Sequence, residues 1–385
     1  MGGVAKMAVT RKLVTVRRIE YVIPISGTPF VTVKIGGWRV VVNSNEGFRE
    51  GQLVVYFEID SILPNTGYFW EFCVRNNAES DGKPVFLVGT VMKSKHISQG
   101  LVFHLDTFSE ITSVFNELKS KYRYDEALQR LMDRSFEKEL GIEKWEAPQN
   151  EDHRIIGPAP VFFPQPGCLR AQNIFGLFDE EGEKYFHVTE KLDGVPMTIY
   201  CINKNSEWCS TLPALPEHLQ QEGPLRIGIS GRRDDLLEHE DSWFWTTAKK
   251  QGILDKIKRV TREVKNVAIQ GELCGSSIHT NSMGFAPDVH HFYAFDIFDI
   301  DRQKYLKPYN AATICGFAEI DYAPVIRDRV KLSTFATDID NLVAKAEGRG
   351  LLGKPREGLV FKEVNGGFTF KVISNSWLLQ TGKGQ

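Results

Sequence analysis

The sequence predicts an α+β protein in two parts: a small all-β barrel with a helical extension, then a larger domain of antiparallel sheets and helices. Three observations carry this expectation. Short apolar runs separated by turn residues fill the first hundred positions. From Thr107 the apolar spacing becomes three or four residues, as in helices. The stretch "WEAPQNEDHRIIGPAPVFFPQPG" then interrupts both patterns with prolines and glycines that sustain neither a helix nor a central strand. At 385 residues the chain is long for one globular unit. The expected division is 1–106 for the barrel, 107–165 for the helical segment and linker, and 166–385 for the second domain.

In the barrel, "LVTVRRIEYVIPI" leads to "FVTVKIGGWRVVVN", with Gly36-Gly37 as the reversal, followed by "QLVVYFEI", "PVFLVGTVM" and "GLVFHL". About five strands at this spacing suggest an OB-type barrel, which serves either to bind oligonucleotides or as a structural module. Phe30, Trp38 and Tyr56 are available as stacking platforms, but strand aromatics are usually core, and none is assigned to a ligand. Phe108, Ile111, Phe115 and Leu118 mark one helix, and a second helical run covers Ala127 to Leu140. Beyond the linker, "KYFHVTEK", "MTIYCIN", "VAIQGELCG", "HFYAFDIFDI", "EGLVFKEV" and "GFTFKVI" read as strands, and "DSWFWTTAKKQGILDKIKRVTREVK" as helix.

Composition bounds the function classes. With 47 basic against 49 acidic side chains, there is no global field to hold a polyanion, and such binding must come from local patches. The basic run Lys256 to Lys265 is one such patch, although solvated helix faces look the same. No apolar run is long enough for a membrane span, and "MGGVAKMAVTRK" lacks a secretory core, so a soluble protein of the cytoplasm or nucleus is expected. Six scattered cysteines without a C-x-x-C pair read as reduced packing residues.

The chemistry is carried by charged residues embedded in apolar runs, where an unpaired charge is costly. "VTEKLDGVPMTIY" sets Lys191 two residues before Asp193 and Gly194. A lone K-x-D-G arises by chance in about one chain in ten of this size, and by itself reads as a lysine entering a turn. The residues that follow it in order change the reading: Glu272 in "VAIQGELCG", Phe295-Asp296 in "FYAFDIFD", Glu357 and Lys362 in "REGLVFK", and Lys371 in "FTFKVIS". Regular alternation puts Glu357 and Lys362 on opposite strand faces, so both serve one site only if the chain bends at Gly358 or Glu357 lies at the strand end. Adjacent His290 and His291 point to opposite faces and do not share a metal.

In this order, the motifs Lys191-x-Asp193-Gly194, Gly271-Glu272-Leu273, Phe295-Asp296, Glu357-Gly358-x-Val360-x-Lys362 and Lys371 resemble the covalent nucleotidyltransferase superfamily of ATP-dependent ligases and capping enzymes. The match looks closest to RNA ligases that carry an OB domain first, of the Deinococcus and Naegleria type. "ISQGLVF", "ELGIEKWE", "RAQN" at Arg170 to Asn173, and "FKVISN" support that branch. The resemblance implies a second domain of the ATP-grasp-like, DNA-ligase type, and an enzyme that joins RNA 3′-hydroxyl and 5′-phosphate ends, at nicks in duplexes, through lysyl-AMP and RNA-adenylate. It implies ATP and Mn²⁺ or Mg²⁺ as cofactors.

By the same resemblance, Lys191 is the nucleophile, with Lys362 and Lys371 as catalytic cations. Asp193, Glu272 and Glu357 hold the metal or its waters, with Glu272 alternatively on the ribose. Phe295 stacks on adenine, Glu190 accepts from its exocyclic amine, and Arg232, or Arg233, contacts ribose or RNA phosphate. A lysine attacks phosphorus only when neutral, so its pKa must fall from about 10.4. Lys362, Lys371 and a divalent ion are the expected causes of that fall. Thr369 stands where many relatives carry a further lysine. Other readings are a DNA ligase, a GTP-using capping enzyme, and an inactive RNA-binding OB protein.

Overall fold

A computed structural model describes residues 11–74, 78–80, 83–145 and 154–381. The chain forms two compact units. One comprises Met1–Ala147 with the short segments Ala171–Phe175 and Asn375–Gln385, and the other comprises Pro148–Arg170 and Gly176–Ser374.

The first unit is built from small antiparallel sheets. Leu53–Phe57 is the centre of one, flanked by Val14–Arg18 and Leu101–His104, and Tyr21–Pro24, Phe30–Ile35 and Trp38–Asn43 form another. The reversal at Gly36-Gly37 is as expected, with Ile35 opposite Trp38 and Gly36 at φ +55°. Trp38 and Tyr56 are buried as core, while Phe30 is half-buried. The first predicted helix is Ser109–Lys121, with Ile111 and Phe115 inward. The second predicted run divides into Tyr124–Met132 and Glu137–Leu140. Phe108, Ile111, Ala127, Leu131 and Phe136 close one core with Val14, Val16, Val55 and Phe57.

Among the described residues, the second unit contains two sheets. In the larger, the strands run in the order Ile155–Pro158, Asp234–Leu236, Leu225–Ser230, Val195–Asn203, Val267–Gly275, His290–Asp299 and Lys304–Tyr305, all antiparallel. One face packs Met197, Ile199 and Ile269 against the helices Trp243–Lys250, Ile253–Val260 and Pro308–Ala318; the other packs Tyr200, Ile202 and Ala268 against Phe162 and Phe163. The single long helix expected from "DSWFWTTAKKQGILDKIKRVTREVK" is instead two, because Gly252 takes φ +66° between them.

The smaller sheet has the order Leu169–Arg170, Thr369–Ile373, Gly358–Glu363, Tyr185–Lys191 and Val325–Lys331. Its pairs are antiparallel apart from the parallel contact of Leu169–Arg170 with Thr369–Ile373. Phe186, Phe361 and Phe370 pack together on one face, Phe361 and Phe370 stacked with centroids 4.7 Å apart. No helix of the described residues is long and apolar enough to cross a membrane.

Candidate active site

The strand Tyr185–Lys191 ends at Lys191, and the chain turns through Leu192, Asp193 and Gly194 into Val195–Asn203, so the K-x-D-G motif is the passage from one sheet to the other. Gly194 permits that passage: a Cβ there would lie 2.4 Å from the Leu273 carbonyl oxygen and 2.7 Å from Glu272 Cγ. The turn therefore rests against Val267–Gly275, and Glu272 stands beside the lysine that the same motif carries.

Glu357 reaches Lys191 from the other sheet. Lys191 pairs with Gly358, leaving Glu357 just outside the strand Gly358–Glu363, and Lys191 Nζ donates to Glu357 Oε2 at 2.8 Å. The strand-end alternative posed by the sequence is the one adopted. Gly358 is needed here too, because a Cβ would lie 2.0 Å from the Val372 carbonyl oxygen.

Electrostatics around Lys191 are dominated by carboxylates. Burial opposes its charge, but Glu357, Glu272 and Asp193 outweigh burial and raise its pKa above the ordinary lysine value. The lowered value that the reaction requires is not the one this set of charges produces. Glu272 is pushed up to about 7, first by burial; Lys191 opposes the rise, while Glu357 and Asp193 add to it. Lys371 is lowered to about 8, first by burial; Cys168 opposes this, while nearby Lys191 and Arg170 reinforce it.

Lys362 occupies a different position. It shares a sheet face with Lys371, because Val360 pairs with Lys371 and Lys362 with Thr369. Its Nζ lies 2.8 Å from Asp296 Oδ1 and 5.1 Å from the Phe295 ring centroid, and donates to the Phe295 carbonyl. Two consecutive residues meet one lysine because the register slips here: Gly271 pairs with Ala294 but Gln270 with Asp296. Phe292, Ala294 and Ile297 all face one core, so strand alternation changes parity across this bulge. His187, which the sequence did not single out, is buried opposite Lys362, and burial lowers its pKa.

Glu190 alternates with Lys191 and so leaves the opposite strand face. Its Oε1 accepts from the Leu351 amide at 3.1 Å, and a Cβ at Gly350 would approach that oxygen to 2.3 Å. Burial raises its pKa, while the Leu351 amide and Arg356 pull it back. Arg232 is exposed in the turn before Asp234–Leu236 and opposes the rise of Glu272; the neighbouring Arg233 carbonyl accepts from Ala159 at 2.7 Å. Asp193 is held by two residues the sequence did not single out: His279 Nδ1 lies 3.0 Å from Oδ1, and Ser282 donates to Oδ2. Both sit in the aperiodic stretch "SSIHTNSMGFAPD", where no pattern marks them.

No three His, Cys, Asp or Glu side chains among the described residues are close enough to ligate a metal together. Asp193 and Glu357 already accept from protein donors. This donor set fits a divalent cation that keeps its water shell and is held through those waters. The raised pKa of Glu272 reflects, after burial, the carboxylate repulsion that such a cation would relieve.

The RNA ligase family profile matches residues 184–373, which contain this whole constellation, and an OB-fold domain profile matches 13–105. The chain carries an RNA ligase domain after an OB-fold domain. No curated protein matches it. Among solved structures, this ligase is similar to Naegleria gruberi RNA ligase over nearly its full length. A lysine-to-alanine variant of that protein with ATP and Mn is 29% identical, with a TM-score of 0.77 over 95% of this chain and 98% of that one. The form with pyrophosphate is 28% identical, with a TM-score of 0.77 over 96% and 98%. A glutamate-to-alanine variant with AMP and Mn is 29% identical at the same TM-score and coverages. The ligase thus has the predicted architecture, an OB-fold domain followed by a sheet-rich ligase domain.

Proposed function

We propose that this ligase uses ATP and Mn²⁺ or Mg²⁺ to join RNA 3′-hydroxyl and 5′-phosphate ends at nicks in duplexes, through lysyl-AMP and RNA-adenylate. The observation that carries the proposal is the half-buried lysine at the end of Tyr185–Lys191, paired at 2.8 Å with Glu357 and set beside Glu272 and Asp193. The ATP, AMP and pyrophosphate bound to the Naegleria gruberi enzyme are the substrate and products of this chemistry.

Lys191 Nζ attacks the α-phosphorus of ATP; the N–P bond forms, the bond to the bridging oxygen breaks, and pyrophosphate leaves. A divalent cation held through its waters by Asp193, Glu272 and Glu357 supplies the positive charge that offsets the carboxylates retaining the Lys191 proton. Lys362 and Lys371 present cations to the phosphates. Phe295 stacks on the base. Glu190 accepts from the adenine amine, a contact that guanine, with a carbonyl at that position, does not offer. Arg232 contacts ribose or RNA phosphate. An RNA 5′-phosphate oxygen then displaces Lys191 from AMP, and the 3′-hydroxyl of the adjoining end displaces AMP.

The test is incubation with α-labelled ATP or GTP and Mn²⁺ or Mg²⁺, followed by a denaturing gel, with Lys191→Ala beside wild type. Label from ATP on wild type alone is expected, followed by sealing of a nicked RNA duplex in preference to unpaired ends. No label after pyrophosphate has stripped any AMP already bound would overturn the proposal.

A further inference from the structure

Asp193 does not stand alone in the K-x-D-G turn. Each of its carboxylate oxygens has its own donor, His279 on Oδ1 and Ser282 on Oδ2, and both come from the loop between Val267–Gly275 and His290–Asp299. A carboxylate gripped at both oxygens cannot rotate without breaking one bond or the other.

The loop is shaped for this grip. His279, Asn281 and Asp288 take φ of +49°, +51° and +60°, in the left-handed region that few non-glycine residues occupy. Asn281 closes the turn from both sides, its Oδ1 accepting from the Phe285 amide at 2.8 Å and its Nδ2 donating to the Phe285 carbonyl at 2.9 Å. Phe285 is buried with Leu192, the residue between Lys191 and Asp193, while Ile278 is buried in the core of the larger sheet. The loop is therefore pinned on both sides of Ser282 and next to the segment it grips.

We infer that His279 and Ser282 are positioning residues, which fix the Asp193 carboxylate so that it receives the water shell of the catalytic divalent cation. This rests on the role proposed above for Asp193. Outer partners of metal-binding groups generally contribute about 10- to 100-fold in metal affinity or activity. Neither residue needs to touch ATP or RNA.

The experiment uses the full chain and has two arms. In a Lys191→Ala background, where no turnover occurs, Mn²⁺ binding in the presence of ATP is read from loss of the free-ion electron paramagnetic resonance signal. With Lys191 intact, the Mn²⁺ half-saturation of single-turnover labelling is measured. Ser282→Ala and His279→Ala are expected to raise both constants about tenfold, with Ser282→Thr and His279→Asn recovering most of the loss. With Asp193→Asn, the same substitutions are expected to change nothing further. Unchanged Mn²⁺ constants in the single variants would overturn the inference. So would a loss that persists undiminished with Asp193→Asn, since the residues would then act elsewhere. If the alanine variants melt early, the donor-retaining pair decides alone: near-wild-type Mn²⁺ binding supports the inference and its loss overturns it. Failure of wild type to take label would count against the proposed function, while the resonance arm would still read the grip on Asp193.

Discussion

Asp235 and Glu272 are both acids of the second unit with a raised pKa, and their difference shows what marks a reactive site. At Asp235, the carboxyl is pushed up to about 6 by burial, and its neighbours all oppose the rise: the Tyr200 hydroxyl donating at 2.8 Å, the nearby Arg226 and the Leu236 amide. Gly228 makes room for Tyr200, since a Cβ there would lie 2.1 Å from its hydroxyl oxygen. At Glu272, burial is again the first cause, but two further carboxylates add to it. A raised acid is therefore not diagnostic by itself. Asp235 is a buried group moderated by its own surroundings, whereas Glu272 belongs to a set of like charges whose repulsion a bound cation would relieve.

The strongest test of this contrast removes the lysine that stands beside only one of these acids. Lys191→Ala, and equally Lys191→Arg, should lower self-labelling by about 1,000-fold or more on denaturing gels, since an alanine has no nucleophile and a guanidinium stays protonated. Retained labelling by either variant would place the nucleophile elsewhere. Next in size, Glu357→Gln should slow single-turnover labelling by roughly 100-fold through loss of a charge beside both Lys191 and Glu272.

The corresponding change at Asp235 should leave labelling intact and act on stability. Because the folded pKa of Asp235 lies above its unfolded value, the native state binds more protons between about pH 4 and 6, and stability from this group falls as pH rises through that window. Asp235→Asn should remove that slope. Relative to wild type it should be up to roughly 2–3 kcal/mol more stable at pH 7.5 than at pH 4, read from urea midpoints. Labelling lost to the same degree as in Glu357→Gln would break the comparison. The smallest expected effect is at Gly350→Ala, where the new Cβ crowds Glu190 Oε1: the KM for ATP should rise about tenfold with kcat nearly unchanged, and ATP should lose ground to GTP. A fall in kcat alone would separate Gly350 from base recognition.

Much of this was legible in the chain, and the limits have physical causes. The strands carrying Lys191, Glu272, Lys362 and Lys371 show as apolar runs because both sheets bury their strands. The motif glycines are legible as glycines, but that Gly194 and Gly358 exist to admit a facing carbonyl needs the neighbouring strand. The bulge at Phe295-Asp296 was hidden because it depends on pairing with Gln270 and Gly271, not on a local residue type. Gly252 lay inside an otherwise helical pattern, and only its left-handed φ separates the two helices. His279, Ser282 and the Leu351 amide lie in loops, where function depends on position and not on periodicity.

The sequence by itself determined the order of elements, the two-part architecture and the ordered charged residues in strands, because burial selects apolar runs and makes each embedded charge conspicuous. Tertiary structure alone decided which charges meet. Lys191 joins Glu357 across 166 positions and Asp193 joins His279 across 86, whereas Lys362, near Glu357 in sequence, turns to Asp296. Strand register and bulges set those encounters, and through them decide which acids lose their protons and which lysine keeps one.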